Sequence, residues 1–250
     1  MAKHQFGLVG KNISYSFSKA HFTKKFEELN LLDYSYENID FQDISELQIF
    51  LKNNPNLKGL NVTIPYKESI IPYLDKLSKK AAAIGAVNTI RFTKNGKLKG
   101  YNTDYYGFQK SLEPLLQSHH KKALILGTGG ASKAVAYSLN QMGIATTYVS
   151  RTSSGNAIGY SQITAETFEE YQIIINCTPL GTSPNTNVCP EIPYEFFTSN
   201  HIAFDLIYNP SETLFLQKAK KHGAVFKNGL EMLVFQAEKA WKIWGFLSKN

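Results

Sequence analysis

Short apolar runs alternate with stretches of helical periodicity from one end of the chain to the other, the pattern of an α/β architecture with a mainly parallel sheet in each half. In the first half the runs Phe6–Val9, Tyr34–Ile39 and Gly59–Val62 predict strands with helices between them. Phe22, Phe26 and Leu29 fall on one face of the first helix, and Ser18 is placed to cap its start. Asn95-Gly96, between Thr89–Phe92 and Leu98–Tyr101, predicts a tight hairpin. Phe108, Leu112 and Leu115 mark a further helix that begins near Asp104 and is expected to link the two halves through the polar segment Gln117–His120.

From Ala123 the order becomes strand (Leu124–Leu126), glycine turn, helix (Ala131–Met142, stopped by Gly143) and strand (Thr146–Val149), a βαβ unit. Further strands are expected at Ile173–Asn176 and Ile202–Leu206. The last segment, Leu230–Leu247, places Leu230, Val234, Ala237, Trp241 and Trp244 on one helical face; two tryptophans on a terminal helix imply docking onto a core. There is no internal repeat and no low-complexity tract.

Composition narrows the function classes. The chain has 250 residues, enough for two modest domains or one large one. Its net charge of +7 raises the question of nucleic acid, but the lysines are scattered, and pairs such as Lys24-Lys25, Lys79-Lys80 and Lys220-Lys221 fall on polar faces of amphipathic segments. A solvated surface is the expectation, with mild attraction for anionic ligands and no nucleic-acid partner. The two cysteines, Cys177 and Cys189, lack the spacing of a zinc site or a disulfide framework, so no metal is expected and a reducing cytoplasm is the simplest compartment. Met1–Gln5 leads directly into Phe6–Val9 without a signal-like apolar region, and no later run is long enough to span a bilayer.

The glycine turn is the first carrier of chemistry. Gly127 and Gly129 take the first two glycine positions of a dinucleotide fingerprint, and small Ser132 stands at the third. The turn follows a strand and opens a helix, so backbone N–H groups and the helix dipole can meet a pyrophosphate. At the end of the next strand, Ser150-Arg151-Thr152 stands where an NAD-preferring site would carry an acid. Arg151 suits a 2′-phosphate, which favours NADP, although an exposed loop charge reads the same way in sequence. Asn176-Cys177-Thr178-Pro179-Leu180-Gly181 leaves a strand at the same sheet edge, with Cys177 read as a packed small residue.

The second carrier is Asn61-Val62-Thr63-Ile64-Pro65-Tyr66-Lys67, where a strand ends in a proline turn presenting amide, hydroxyl and ammonium groups together. It resembles the NVTxPxK motif of the shikimate dehydrogenase family. Ser16-Phe17-Ser18 is similar to that family's serine pair, Gly85-Ala86-Val87-Asn88-Thr89 to its GAVNT motif, and Asn102-Thr103-Asp104 to its NTD motif. The order continues through Gly127-Thr128-Gly129-Gly130-Ala131, Ser150-Arg151-Thr152, Asp205-Leu206-Ile207-Tyr208-Asn209-Pro210, and Gly229-Leu230 leading to Gln236, so the resemblance covers nearly the whole chain.

The resemblance implies an N-terminal α/β substrate-binding domain (1–103, with the C-terminal helix 231–250 packing back on it), a Rossmann-type NADP-binding domain (104–230), and a cleft between them. It implies reversible NADPH-dependent reduction of 3-dehydroshikimate to shikimate, a step towards the aromatic amino acids, by a monomer or homodimer. Lys67 and Asp104 would be catalytic. Ser16, Ser18 and Tyr208 would hold the substrate carboxylate, and Asn61, Thr63, Asn88, Asp104 and Gln236 the ring hydroxyls. Gly127, Thr128, Gly129, Gly130, Ala131, Ser150, Arg151, Thr152, Thr178, Leu206 and Gly229 would bind the cofactor. Elementary chemistry agrees about Lys67: hydride delivery to a ketone leaves negative charge on oxygen, which calls for a cation or proton donor.

Bland roles coexist with these. Ser18 and Asp104 both stand where N-caps stand, and Asn88 can fix a turn. The chain also departs from the family pattern: Ala20 where proline is frequent, Tyr105 for glycine after the NTD motif, Ser150 for asparagine, Glu231 for a small residue, and no second basic residue in Ser153-Ser154-Gly155. Three alternatives follow: a quinate/shikimate dehydrogenase with relaxed cofactor choice, a methylenetetrahydrofolate dehydrogenase, against which the serine pair and NTD motif argue, and a non-catalytic metabolite-binding regulator, against which Lys67 and Asp104 argue.

Overall fold

Among the described residues, strands rich in branched and aromatic residues assemble into two six-stranded sheets, one in each of two compact units. The first unit runs to Thr103 and takes in the chain from Ala237 onward; the second spans Asp104–Gln236. The computed structural model describes residues 3–13, 16–152 and 157–246, so Met1, Ser153-Ser154-Gly155 and Leu247, named above, lie outside the described residues.

In the first unit the chain order is β1 (His4–Gly10), α1 (Phe17–Glu28), β2 (Tyr34–Asp40), α2 (Glu46–Asn53), β3 (Leu57–Val62), α3 (Tyr66–Ser69), β4 (Lys76–Leu77), α4 (Lys79–Ile84), β5 (Thr89–Phe92) and β6 (Leu98–Tyr101). The sheet order is β2-β1-β3-β5-β6-β4. β1 runs parallel to β2 and β3, while β5 is antiparallel to both β3 and β6, so this sheet is mixed. The hairpin at Asn95-Gly96 forms as its sequence dictates, with Gly96 at φ 71°. Asn61 lies opposite Thr89, and Thr89 opposite Tyr101, so the exits of β3 and β6 and the entry of β5 share one end of the sheet.

The cap of α1 falls elsewhere than expected. Ser16, in extended conformation, accepts a hydrogen bond from the Lys19 amide at 3.1 Å, whereas Ser18 lies in the first turn and is buried. Two serines flank Phe17, and the helix begins at Phe17 itself, so only the first is in position to cap it.

Alternation along β1 sends its side chains to opposite faces. Val9 joins Leu47, Leu60, Ile70 and Ile90 on one face; Phe6 and Leu8 join Phe22, Phe26, Tyr36, Ala237, Ala240 and Trp241 on the other. On that second face Trp244 lies over Gly59 and donates its indole N–H to the Ile90 carbonyl at 3.0 Å.

In the second unit the order is α5 (Asp104–Leu112), β7 (Lys122–Leu126), α6 (Gly130–Gln141), β8 (Ala145–Ser150), β9 (Ala157–Gly159), α7 (Ala165–Glu170), β10 (Ile173–Asn176), β11 (Ile202–Asp205), α8 (Leu214–Lys221), β12 (Val225–Lys227) and the start of α9 (Leu230–Trp244). All its strand pairs are parallel, in the order β12-β11-β10-β7-β8-β9. The central strands are buried on both faces, which explains their unbroken apolar runs.

Two expectations are corrected here. The helix read as a linker, α5, is a core element: Phe108 and Leu112, one turn apart, are fully buried, and Phe108 meets Phe204 edge-on at 5.0 Å. The inward face of α9 is also displaced, because the positions one turn apart that become buried are Met232, Gln236 and Ala240 with Ala237 and Trp241, while Leu230 stays 43% exposed and Val234 half-buried. Tyr105, the departure after the NTD motif, is buried with its ring edge-on to Tyr137 of α6 at 5.6 Å.

A Cβ at Gly59 would stand 2.2 Å from the Trp244 indole nitrogen. Gly59→Ala is therefore expected to destabilise the first unit by about 1–3 kcal/mol through overpacking. The check is a lower thermal midpoint, with tryptophan fluorescence changing along the same transition.

Candidate functional site

The sheet end defined by β3, β5 and β6 carries a buried polar network. Asn61, the penultimate residue of β3, accepts from the Tyr36 hydroxyl at 2.8 Å and donates its amide hydrogens to the Asn88 carbonyl and the Thr89 hydroxyl, both at 3.1 Å. The Asn88 side chain accepts from the Thr103 amide at 2.7 Å and bonds the Thr103 and Thr89 hydroxyls. Asn102 donates to the Ala86 carbonyl at 3.0 Å. A strand end would otherwise leave these backbone groups unpaired, so the amide side chains complete what the ladder cannot.

The chain leaves β3 through Thr63, whose amide donates to the Val9 carbonyl at 2.9 Å, and re-forms as the single turn α3. Lys67 sits on that turn, half-buried, and its carbonyl accepts from the Val87 amide at 2.7 Å. The Asn61–Lys67 and Asn88 segments are thereby tied together. Ser16 Oγ donates to Asn38 Oδ1 at 2.7 Å. Burial pushes the Tyr36 hydroxyl well above the ordinary phenol range, so it remains a neutral donor.

Asp104, Tyr208 and Gln236 belong to the second unit. Asp104 is buried at the first position of α5, directly after Thr103; Gln236 is buried on α9, and Tyr208 is half-buried beyond β11.

In the second unit, sheet order reverses direction between β7 and β10, the position where open α/β sheets collect ligands at the carboxyl ends of strands. Gly127 leaves β7 at φ 100°, and a Cβ there would lie 3.2 Å from Thr178 beyond β10. The positive φ calls for glycine, and the approach to Thr178 is tight. Thr128 and Gly129 are exposed, and a Cβ on Gly129 would meet nothing within 4 Å, so the amide-rich turn that opens α6 is accessible. Gly130 and Ala131 begin the helix, while Ser132 fixes the turn by donating to the Gly129 carbonyl at 2.6 Å. The adjacent β8 ends in Ser150, whose hydroxyl donates to the Thr152 carbonyl, with Arg151 and Thr152 exposed. An accessible glycine turn beside a solvent-facing guanidinium fits a dinucleotide with an additional phosphate.

Leu206 and Gly229 form the other edge of this end. The Gly229 amide donates to the Ile207 carbonyl at 3.0 Å, and a Cβ at Gly229 would stand 2.0 Å from the Leu206 carbonyl oxygen. Asp205 anchors both edges: its carboxylate accepts from Thr213 Oγ1 at 2.6 Å, the Ile207 amide at 3.0 Å and Asn176 Nδ2 at 3.1 Å. Asn176 in turn accepts from the Thr178 hydroxyl at 2.7 Å.

Sequence reasoning missed the roles of Tyr36, Asn38, Thr89, Thr103 and Asp205 in these networks. One signal was present in β2: an asparagine within a strand, two residues from a tyrosine, is a poor strand former sharing a face with a polar aromatic. Among the described residues no group of three or more His, Cys, Asp or Glu is placed to hold a metal ion.

Burial pushes the Asp205 carboxyl up to about 6, against hydrogen bonds from Thr213, Ile207 and Asn176 that pull it down. The folded state thus binds the proton more tightly than the unfolded one. Its contribution to stability is complete below about pH 4 and is lost as pH rises through about 6, a change on the order of 3 kcal/mol. Urea unfolding of wild type and Asp205→Asn between pH 4 and 8 should show this fall in the wild type only.

A family model described as the shikimate dehydrogenase substrate binding domain matches residues 8–90. The chain is 38% identical to the shikimate dehydrogenase (NADP(+)) of Methanosphaera stadtmanae, over 95% of this chain and 90% of that relative. The crystal structure of shikimate dehydrogenase 1 from Peptoclostridium difficile matches at 40% identity with a TM-score of 0.83, over 99% of this chain and 93% of that one. Shikimate 5-dehydrogenase from Thermus thermophilus, crystallised with NADP(H) and shikimate, matches at 32% identity with a TM-score of 0.86, over 99% and 95%. On these similarities, which run along nearly its whole length, the chain belongs to the shikimate dehydrogenase family.

Proposed function

We propose that this chain catalyses the reversible NADPH-dependent reduction of 3-dehydroshikimate to shikimate, in the pathway to chorismate and the aromatic amino acids. The carrying observation is the meeting, at one end of the first sheet, of the segments that bear Asn61, Thr63, Lys67 and Asn88, held by a network made of hydroxyls and amides. Such groups suit a polyhydroxylated ring, and neutral hydroxyls such as those of Ser16 and Ser18 can hold its carboxylate without a guanidinium. In this reading Tyr208 assists with the carboxylate, and Asp104 and Gln236 serve the ring hydroxyls.

Lys67 Nζ acts on the reacting oxygen. It stabilises the developing alkoxide and supplies a proton in the reducing direction, with Asp104 as its catalytic partner. The nicotinamide cofactor, when bound, supplies or takes up the hydride. Gly127 to Ala131 would hold its pyrophosphate at the start of α6; Ser150, Arg151 and Thr152 the 2′-phosphate; Thr178, Leu206 and Gly229 the remainder. The unit ending at Thr103 takes the substrate and the one beginning at Asp104 the cofactor. Among the described residues no helix is long and apolar enough to cross a membrane, and neither Cys177 nor Cys189 is in a disulfide. Work in the reducing cytoplasm, as a monomer or homodimer, accords with this reading.

Oxidation of shikimate and of quinate, each with NADP and with NAD and followed by absorbance of the reduced cofactor, tests the proposal. Shikimate with NADP should be the fastest pair. Comparable rates with quinate or NAD would replace this reading by a quinate/shikimate dehydrogenase, and ligand-induced stabilisation without turnover by a metabolite-binding regulator. Lys67→Ala should lower kcat by about 10²–10⁴ while moving the KM for shikimate only a few-fold. Arg151→Ala should raise the KM for NADP by about tenfold or more and leave that for NAD nearly unchanged, narrowing the cofactor preference.

A further inference from the structure

We propose that the edge strand β2 carries two positioning residues, Tyr36 and Asn38, that hold the substrate-side groups of Asn61 and Ser16 in register. The inference rests on the shikimate dehydrogenase reading above and deepens it.

Tyr36 and Asn38 are two residues apart on one strand and so share a face. Tyr36 is only 1% exposed, its ring stacked on Phe22 at 4.8 Å, which leaves the phenol no freedom to swing away. Its one hydroxyl proton goes to Asn61 Oδ1, an atom that cannot donate in return. Both amide hydrogens of Asn61 are engaged by the Asn88 carbonyl and the Thr89 hydroxyl, so Tyr36 completes the set that fixes which way this amide faces.

Asn38 does the same for Ser16. Its Nδ2 donates to the Ile13 carbonyl at 2.9 Å, which turns Oδ1 towards Ser16, and Ser16 Oγ donates to it at 2.7 Å. The Ser16 oxygen also accepts from the Lys19 amide. The Ser16 oxygen is therefore placed by β2 and α1, while its hydroxyl proton rests on a β2 acceptor. A substrate carboxylate needs only a rotation of that hydroxyl to capture its proton, exchanging a neutral hydrogen bond for a stronger charge-assisted one.

The test compares Tyr36→Phe and Asn38→Ala with wild type, using shikimate, its uncharged methyl ester, and NADP, with thermal midpoints measured in parallel. Tyr36→Phe should raise the KM for shikimate about 5- to 20-fold, with kcat and the KM for NADP within about twofold and the midpoint within a few degrees. Asn38→Ala should narrow the preference for shikimate over its methyl ester by a similar factor, whereas Tyr36→Phe, which acts through Asn61, should weaken both substrates alike. Phe22→Leu, which disturbs the same ring without removing a hydrogen bond, supplies the packing control and should lower the midpoint while leaving the KM for shikimate in place. An active enzyme whose Tyr36→Phe variant keeps the wild-type KM, or loses affinity only as Phe22→Leu does, overturns the role of β2 alone. A wild type inert towards shikimate overturns the functional reading and this inference together.

Discussion

A buried carboxamide must find partners for two donors and an acceptor, and the first unit is organised around that demand at Asn61. The side chain, 4% exposed, bonds to Tyr36 on β2, to the Asn88 carbonyl and to Thr89 on β5. From Asn88 the network passes to Thr103, beyond β6. Leaving any one of these groups unpaired would cost about 1–3 kcal/mol, so the set is held together or lost together. Strand pairing alone would fix the middle of the sheet; the amides fix its end, where the loops with Lys67 and Asn88 depart.

The second unit meets the same demand with a charge. At its sheet end Asp205 takes the place of an amide, accepting from Thr213, Ile207 and Asn176 and thereby joining the exits of β10 and β11. The contrast has a functional consequence. The hydrogen-bonding groups described at the first sheet end are hydroxyls, carboxamides and backbone, and its phenol is held far from ionisation, so pH leaves their arrangement unchanged. Burial raises the Asp205 carboxyl to about 6, so the loops carrying Thr178 and Leu206 are the ones whose support changes with protonation.

Local chemistry made much of this legible in the sequence. The isoleucine run of β10 and the Asn95-Gly96 turn each specify their conformation within a few residues, as does the glycine turn before α6. The shikimate dehydrogenase motifs were legible as well. The misplaced features depend on choices between equivalent neighbours or on distant partners. Ser16 and Ser18 carry the same capping side chain two residues apart, and the start of α1 decides between them. Periodicity gives α9 an apolar face, but not that Gln236 is buried while Leu230 is left in solvent. The importance of Tyr36 follows from register between three strands, which no local pattern records.

That register also explains why the group on β2 is a tyrosine. Asn38, Leu8 and Asn61 lie side by side across β2, β1 and β3, and Tyr36 faces Phe6 one pleat earlier. Strands two apart are separated by roughly 10 Å, so a polar group on β2 must reach over β1 to meet Asn61. A serine or asparagine at position 36 is too short. A lysine or arginine is long enough, but it would bury a charge beneath Phe22 and Trp241, at a desolvation cost of several kcal/mol. A phenylalanine fills the space and leaves the Asn61 oxygen without its donor. A rigid, uncharged aromatic with a hydroxyl at its tip meets all three demands: it packs under α1, spans the intervening strand and delivers one proton to one atom.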